Sequence, residues 1–269
     1  MSRNCKNKSV KIGNTEMYYA TFGNGPKNLV VMPGLSDGLA TVKGKAFILS
    51  GPYKKYLKDY TVYMFSRKNK MPEHYSIRDM ARDQAKALKD IGIEKTYLLG
   101  VSEGGMISQY MAIDYPELIE GLILAVTAPY TNDVAMNAVS GWIEMVKKDD
   151  YKALMIDTAE KMYTKKYLDK NRKMFPLIAK FTKPKDYERF LRNAEAILEF
   201  DARDELNKIQ CPTFIISGDD DNTVGNEGPY EMNERIPHSS VHIYHGIGHS
   251  AFEEAKDFYD KVFDFCDNN

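Results

Sequence analysis

The sequence has few of the features that mark exported, metal-binding or membrane-spanning proteins. It contains only three cysteines, Cys5, Cys211 and Cys266, an odd number spread along 269 residues. That spacing fits neither a disulfide framework nor a set of metal ligands, so we expect free thiols and a cytoplasmic location. Residues 1–8 are polar and basic, and no apolar segment follows them that could form the core of a signal peptide.

An excess of charge of one sign is also lacking, because 37 Lys and Arg residues stand against 38 Asp and Glu residues. A balanced chain offers no strong field to nucleic acid or to an anionic membrane surface, so we expect neither as a partner. The most apolar segment, residues 118–130, contains Glu120 and is shorter than the ~20 apolar residues that cross a bilayer. We expect a small-molecule substrate and no cofactor or metal, and the oligomeric state stays open.

Short apolar runs recur along the chain and alternate with helical patterns. A β-hairpin pattern surrounds the turn at residues 13–15, and the later runs lie at residues 29–32, 61–65, 97–101, 122–126, 212–217 and 241–244. Residues 77–91 and 106–111 have helical spacing, and a closing helix is predicted over residues 252–265. Apolar strands between amphipathic helices predict an α/β fold: a mostly parallel central sheet with helices on both faces.

The strand signal disappears between residues 130 and 207, where the chain becomes rich in Lys, Met and Tyr with helical periodicity. We therefore predict a core built from residues 1–129 and 208–269, with residues 130–207 inserted as a helical block. The double lysines in this block, residues 147–148 and 165–166, are expected to be solvated helix faces.

The most specific motif is G-x-S-x-G at residues 100–104. It follows the apolar run of residues 97–99 and opens a helical pattern, as a strand-turn-helix elbow requires. The residues on either side of such a serine must be small so that strand and helix can approach, and Gly100 and Gly104 meet this condition. Ser102 would then present its hydroxyl beside a helix N-terminus. The alternative is a Gly-rich phosphate-binding turn or a plain tight turn.

With this elbow in place, the chain resembles the α/β-hydrolase superfamily over essentially its whole length, in the members with a helical cap after the sixth strand. The order of Ser102, an acidic run at residues 219–221 and His249 before the last helix matches the superfamily's order of nucleophile, acid and histidine. In similar hydrolases the acid is usually the third residue past the glycine that ends the preceding strand. Counting from Gly218 gives Asp221, with Asp219 and Asp220 as alternatives.

A histidine is needed to take the serine proton near neutral pH. Of five histidines, His249 follows a Gly-Ile-Gly loop and precedes the closing helix, whereas His242 lies within a predicted strand. We therefore predict His249 as the general base, and His245 is the next candidate.

The resemblance also implies an oxyanion hole made by the backbone N–H groups of Leu35 and Glu103. The superfamily's usual His-Gly pair is replaced here by Pro33-Gly34, which leaves the backbone donor in place. After the fourth strand only Arg67 matches the frequent Asp-x-Arg-Gly pattern, and we expect a structural role for it. The Glu103 side chain is expected either to complement the helix N-terminus or to face the pocket and disfavour anionic substrates.

The reaction implied by this family is hydrolysis of a small or medium carboxylic ester through an acyl-enzyme intermediate. Thioesterase, lactonase, amidase, peptidase and C–C bond hydrolase activities would use the same triad, and a ligand-binding protein without turnover is the alternative of another class. Dehalogenase chemistry is disfavoured because those enzymes carry aspartate at the nucleophile position. In capped members the insertion shapes the pocket, and the candidate pocket residues here are Trp142, Tyr163, Phe175, Phe181 and Phe190.

Overall fold

An eight-stranded sheet forms the centre of the computed structural model, which describes residues 3–269. The strands are β1 (Lys6–Ile12), β2 (Thr15–Gly23), β3 (Lys27–Met32), β4 (Tyr60–Lys68), β5 (Thr96–Val101), β6 (Ile119–Ala125), β7 (Thr213–Gly218) and β8 (Ser239–Tyr244).

The strand order is β1-β2-β4-β3-β5-β6-β7-β8. The hairpin β1–β2 turns at Gly13, whose φ of 59° lies in the left-handed region that favours glycine. β2 pairs with β4 antiparallel, and every later pair from β4 to β8 is parallel. The predicted α/β fold with a mostly parallel sheet is confirmed.

Eleven α-helices connect or flank the strands in residues 3–269. They are α1 (Ala46–Leu49), α2 (Ile77–Asp90), α3 (Glu103–Asp114), α4 (Asp133–Lys147), α5 (Tyr151–Met162), α6 (Lys165–Asn171), α7 (Phe175–Thr182), α8 (Glu188–Leu198), α9 (Gly228–Arg235), α10 (Ala251–Glu254) and α11 (Phe258–Asn268). None of these described helices is long and apolar enough to cross a membrane.

The central strands β3, β5 and β6 are apolar because both of their faces are covered, whereas β1 at the edge of the sheet is largely exposed. In β3, Val30 and Met32 belong to the core cluster under α2 and α3, whereas Leu29 and Val31 belong to the cluster under α1 and α11. The same alternation holds for β6 and β7. Both sheet faces therefore bury apolar side chains, which explains why the strands read as continuous hydrophobic runs.

The helices α4 to α8 occupy the chain between β6 and β7, and the two ends of this segment are joined side by side. Ala202 donates its backbone N–H to the carbonyl of Pro129 at 2.8 Å, and Thr131 donates to Phe200 at 3.0 Å. The segment thus leaves and re-enters the sheet at one place.

The prediction of one closing helix over residues 252–265 is wrong. The helix is interrupted, because Ala255 is extended (φ −81°, ψ 118°) between α10 and α11. This break allows Phe252 and Phe258 to pack edge-to-face with ring centroids 6.5 Å apart, against the same core cluster.

Candidate active site

Ser102 lies at the tight turn between β5 and α3, with φ 55° and ψ −122°. A positive φ is strained for a non-glycine residue, so the surrounding structure must hold it. It does so through the backbone: the Ser102 N–H donates to the carbonyl of Ala125 at 2.9 Å, and the Thr127 hydroxyl donates to the carbonyl of Ser102 at 2.8 Å.

The two glycines of the G-x-S-x-G motif are needed for space. A Cβ on Gly100 would lie 2.6 Å from the carbonyl oxygen of Gly104, and a Cβ on Gly104 would lie 2.0 Å from the carbonyl oxygen of Met32. Both distances are far below van der Waals contact. Strand β5, helix α3 and the end of β3 therefore approach each other as closely as backbones can.

The Ser102, His249 and Asp221 side chains form a hydrogen-bonded chain. His249 Nε2 lies 2.9 Å from Ser102 Oγ, and His249 Nδ1 lies 2.8 Å from Asp221 Oδ2. An ionised carboxylate can only accept, so Nδ1 carries the proton and Nε2 is free to accept from the serine. The side chains of His249 and Asp221 are 4% and 0% exposed.

The loop after β7 turns the Asp221 carboxylate toward the histidine. Its Oδ1 accepts the backbone N–H groups of Thr223 and Val224 at 2.8 and 2.9 Å, which fixes the carboxylate while Oδ2 faces His249. The loop before α10 packs on this turn without room for side chains, since a Cβ on Gly248 would lie 2.7 Å from the carbonyl oxygen of Asp220.

The alternative acid and base lie together in a different place. His245 Nδ1 is 2.7 Å from Asp219 Oδ2, and Asp219 Oδ1 accepts the N–H of Gly246 at 2.7 Å. The His245 side chain is 89% exposed, so this pair is in solvent. Hydrogen bonding to His245 and Gly246 holds the pKa of Asp219 below its ordinary value. Asp220 accepts at its backbone carbonyl from the side-chain amide of Asn222 at 3.2 Å.

The candidate oxyanion donors belong to two adjacent backbone turns. A Cβ on Gly34 would lie 3.2 Å from Ser102 Cβ and 3.6 Å from Ser102 Oγ, so the Pro33-Gly34 loop passes directly over the serine. Leu35 opens the 3₁₀ turn that follows, and Glu103 opens α3. The first N–H groups of a helical turn have no partner within it, so both amides can donate to a bound oxygen.

Glu103 is the acidic residue in the first turn of α3, as expected for a side chain that complements the helix N-terminus, but it does not reach solvent. It turns inward, is 0% exposed, and its Oε2 lies 3.0 Å from Nη2 of Arg67, whose side chain is 1% exposed. Burial raises the pKa of Glu103 to about 7, with Asp37 adding to the rise and Arg67 and Arg189 opposing it. The burial of Arg67 in this pair fits the structural role expected for it.

Sequence reasoning missed Asp37 and Arg189, which join the helical insertion to the loop over Ser102. Arg189 of α8 donates to the Asp37 carbonyl at 2.6 Å, to Asp37 Oδ2 at 2.8 Å and to the carbonyl of Arg67 at 3.1 Å. Beside them, a Cβ on Gly38 would lie 2.6 Å from Cα of Phe190. No local pattern marks these contacts, because residues 37 and 189 are 152 positions apart.

A second contact ties the insertion to the histidine loop. The Met162 carbonyl, at the end of α5, accepts the backbone N–H of Ser250 at 3.1 Å and its hydroxyl at 2.9 Å. Tyr163, the next residue, donates its hydroxyl to Glu253 at 2.6 Å. Burial and the nearby Glu253 carboxylate raise the pKa of Tyr163. Of the candidate pocket residues, Tyr163 and Phe190 therefore lie on segments that contact the loops of the site.

The other three candidates are elsewhere in the insertion. Trp142 is buried and donates its indole N–H to Asp157 at 2.8 Å, whereas Phe175 packs with its ring centroid 5.9 Å from that of Tyr163. Phe181 is 76% exposed. A pocket role for the five aromatics stays a prediction.

Comparison with known proteins places the chain among hydrolases. The model of the alpha/beta hydrolase fold family matches residues 63–256. The chain is 23% identical to pimeloyl-[acyl-carrier protein] methyl ester esterase of Vibrio parahaemolyticus, over 94% of this chain and 98% of that protein. It is 22% identical to 3-oxoadipate enol-lactonase 2 of Acinetobacter baylyi, over 68% of each.

Among solved structures, the chain resembles MGS-M2, an alpha/beta hydrolase enzyme from a Medee basin deep-sea metagenome library. The TM-score is 0.83 at 18% identity, and the match covers 96% of this chain and 97% of that one. At this identity the likeness concerns the fold.

Proposed function

Since this chain belongs to the alpha/beta hydrolase fold family, we propose that it is a serine hydrolase that cleaves a small or medium carboxylic ester, with Ser102 as nucleophile. The observation that carries the proposal is the continuous chain of hydrogen bonds from Ser102 through His249 to Asp221, with distances of 2.9 and 2.8 Å. This is the arrangement in which a histidine can take the serine proton while a carboxylate stabilises the imidazolium that forms.

In the proposed first step, Ser102 Oγ attacks the ester carbonyl carbon and His249 Nε2 takes its proton. The carbonyl oxygen becomes an oxyanion, for which the N–H groups of Leu35 and Glu103 are the proposed donors. The intermediate then collapses, the C–O bond breaks, and His249 returns the proton to the departing alcohol. The acyl group remains on Ser102.

In the second step, water attacks the acyl-enzyme with His249 again as base, and the carboxylic acid leaves as Ser102 recovers its proton. Two backbone N–H groups hold Oδ1 of Asp221, so that Oδ2 stays directed at Nδ1 of His249. Asp221 thereby keeps the histidine in one tautomer throughout. We further propose that residues 130–207 act as a cap over the site, on the basis of their contacts with both active-site loops.

Two of the relatives act, by their names, on bonds between an acyl carbon and oxygen: a methyl ester in one and a lactone in the other. This favours carboxylic esters, including cyclic ones, over thioesters, amides and C–C bonds as the substrate class. The same fold and triad serve all of these reactions, so the bond type requires measurement.

A substrate panel tests this proposal directly. We expect p-nitrophenyl esters with acyl chains of increasing length, and a set of lactones, to be hydrolysed faster than the matched anilide and thioester. The acyl length at which kcat/KM is greatest measures the depth of the pocket. The Ser102→Ala variant is the blank, because background hydrolysis of activated esters must be subtracted. A panel in which the thioester or the anilide is the best substrate would refute the choice of ester.

A further inference from the structure

Helix α7 carries a row of largely exposed apolar side chains. Met174, just before the helix, and Leu177 and Phe181 within it are 52%, 59% and 76% exposed. They are spaced by three and four residues, which places them along one side of the helix. The opposite side holds Phe175 and Ala179, which are buried in the insertion. We refer to Met174, Leu177 and Phe181 as the α7 ridge.

The row is not explained by ordinary surface composition. Scattered single apolar residues are normal on a protein surface, but a contiguous exposed group marks an interaction site. Burying such long, exposed apolar side chains against a partner removes apolar surface from water, which contributes favourable free energy to binding.

The segment that carries the ridge is rich in positive charge. Residues 165–185 include eight Lys and Arg residues and one acidic residue, Asp169, although the whole chain has a net charge of −1. The rest of the chain is therefore acidic overall, and the balanced total conceals a strongly basic segment. An expectation of no membrane partner drawn from the total charge does not apply to this segment.

Much of this charge is not neutralised by neighbours. Lys165, Arg172 and Lys183 each pair with a carboxylate. The other five cations have no carboxylate within 4.0 Å in residues 3–269, and all are exposed: Lys166, Lys170, Lys173, Lys180 and Lys185.

We propose that the α7 ridge and the five unpaired lysines beside it, which we call its basic border, form a peripheral docking surface for an anionic phospholipid bilayer. A basic border around exposed apolar side chains is the combination that holds a helix at a lipid–water boundary: lysines meet the lipid phosphates and the apolar side chains enter the upper acyl region. The charge complementarity selects a bilayer over a second copy of this chain, because two such basic segments brought together would repel each other.

The surface is connected to the candidate active site through the packing of the insertion. α7 packs on α5, and the carbonyl at the end of α5 accepts two hydrogen bonds from Ser250, next to His249. Docking would therefore bring the insertion and the site beside it to a membrane surface. The inference does not depend on which bond the enzyme cleaves.

Vesicle co-sedimentation tests the proposal. The purified full chain is mixed with vesicles of phosphatidylcholine alone or with about one third phosphatidylglycerol. We expect binding only to the anionic vesicles, weakened by at least about fivefold when the salt is raised from 0.1 to 0.5 M. The Ser102→Ala variant should bind equally, which separates this result from the proposed catalysis.

Two paired variants identify the surface. Leu177→Ser/Phe181→Ser removes two thirds of the ridge, and its matched control Val134→Ser/Met136→Ser removes exposed apolar residues of α4. Lys173→Glu/Lys180→Glu reverses two border charges, and its control Lys8→Glu/Lys11→Glu makes the same net change on β1. We expect about tenfold or greater loss of binding in each ridge or border variant and little change in the controls. Thermal unfolding verifies that each variant is folded.

Three results would overturn the proposal. The first is that the parent does not bind anionic vesicles. This includes the case in which the ridge is a dimer interface instead, shown by light scattering as a dimer that dissociates in Leu177→Ser/Phe181→Ser. The second is equal losses in the border and β1 charge variants, which would indicate a general charge effect. The third is that Phe47→Ser/Ile48→Ser, which changes the exposed pair on α1, loses vesicle binding while the ridge variant keeps it.

Discussion

Arg67 and Glu103 form an ion pair of 3.0 Å whose side chains are 1% and 0% exposed, directly under the helix that begins after Ser102. Glu103 also supplies one of the two proposed oxyanion N–H groups. The pair thus links the end of β4 to the residue that follows the nucleophile. Because both charges are removed from water, each depends on the other.

Replacing Arg67 alone should be strongly destabilising. At pH 8, where Glu103 is ionised in the parent, Arg67→Met leaves the buried Glu103 carboxylate without its partner, so we expect the free energy of unfolding to fall by about 3 to 5 kcal/mol. The matched control is Arg235→Met, which breaks a surface pair with Glu231 and should cost less than about 1 kcal/mol. Urea unfolding of the two variants measures the difference. Similar losses in both would show that the Arg67–Glu103 pair is not held in the buried form described.

The same pair makes stability depend on pH in a defined direction. The pKa of Glu103 is raised from 4.5 to about 7 by burial, so the folded state holds a proton that the unfolded state releases between these values. The contribution of this group to stability is therefore complete below about pH 4.5 and is lost as pH rises through about 7.

Glu103→Gln removes this dependence, because an amide does not titrate. The free energy of unfolding of the parent minus that of Glu103→Gln should decrease from pH 5 to pH 8. Glu234→Gln, an exposed change, serves as the control and should show a constant difference. A parent-minus-variant difference that grows with pH would mean that Glu103 is stabilised as a carboxylate.

The fold was largely predictable because strand and helix patterns are local. Six of the strands coincide with apolar runs and the first two with the hairpin pattern, and the glycines of the elbow are visible as a motif. The position of Arg189 on Asp37 was not predictable, since it depends on how α8 packs on a turn 152 residues away. Glu103 shows the same limit: its position at the helix terminus is visible in the sequence, whereas its partner Arg67 comes from strand β4.

The choice among the three consecutive aspartates can be tested by substitution with asparagine. Asp221→Asn should lower kcat by orders of magnitude while leaving the protein folded, since Asn can present a donor to His249 and favour the wrong tautomer. Asp219→Asn is the matched control, because Asp219 also contacts a histidine, His245, but in solvent. We expect its kcat to stay within about twofold of the parent. Steady-state kinetics with one ester suffices, and the reverse ranking would move the acid to Asp219.

Hydrolysis should also depend on pH in the manner of a histidine base. Only a neutral imidazole can accept the serine proton, and histidines ordinarily titrate near neutrality. We expect kcat/KM to rise with pH through one ionisation and then level off, with chemistry rate-limiting. His249→Ala should abolish this rise of kcat/KM with pH together with most of the activity, whereas His245→Ala should keep both. If the residual activity of His249→Ala still rose with pH in the same way, His249 would be excluded as the base.

The central claim is that Ser102 is a nucleophile activated by His249, and covalent labelling tests it most directly. A fluorophosphonate reacts with activated serines through the same attack that opens ester hydrolysis. Mass spectrometry of the digested parent should find one modified residue, Ser102, and Ser102→Ala should be unlabelled, folded and at least about 10⁴-fold less active. Folded parent that stays unlabelled, or equal labelling of Ser102→Ala, would contradict the account and favour a protein that binds its ligand without turnover.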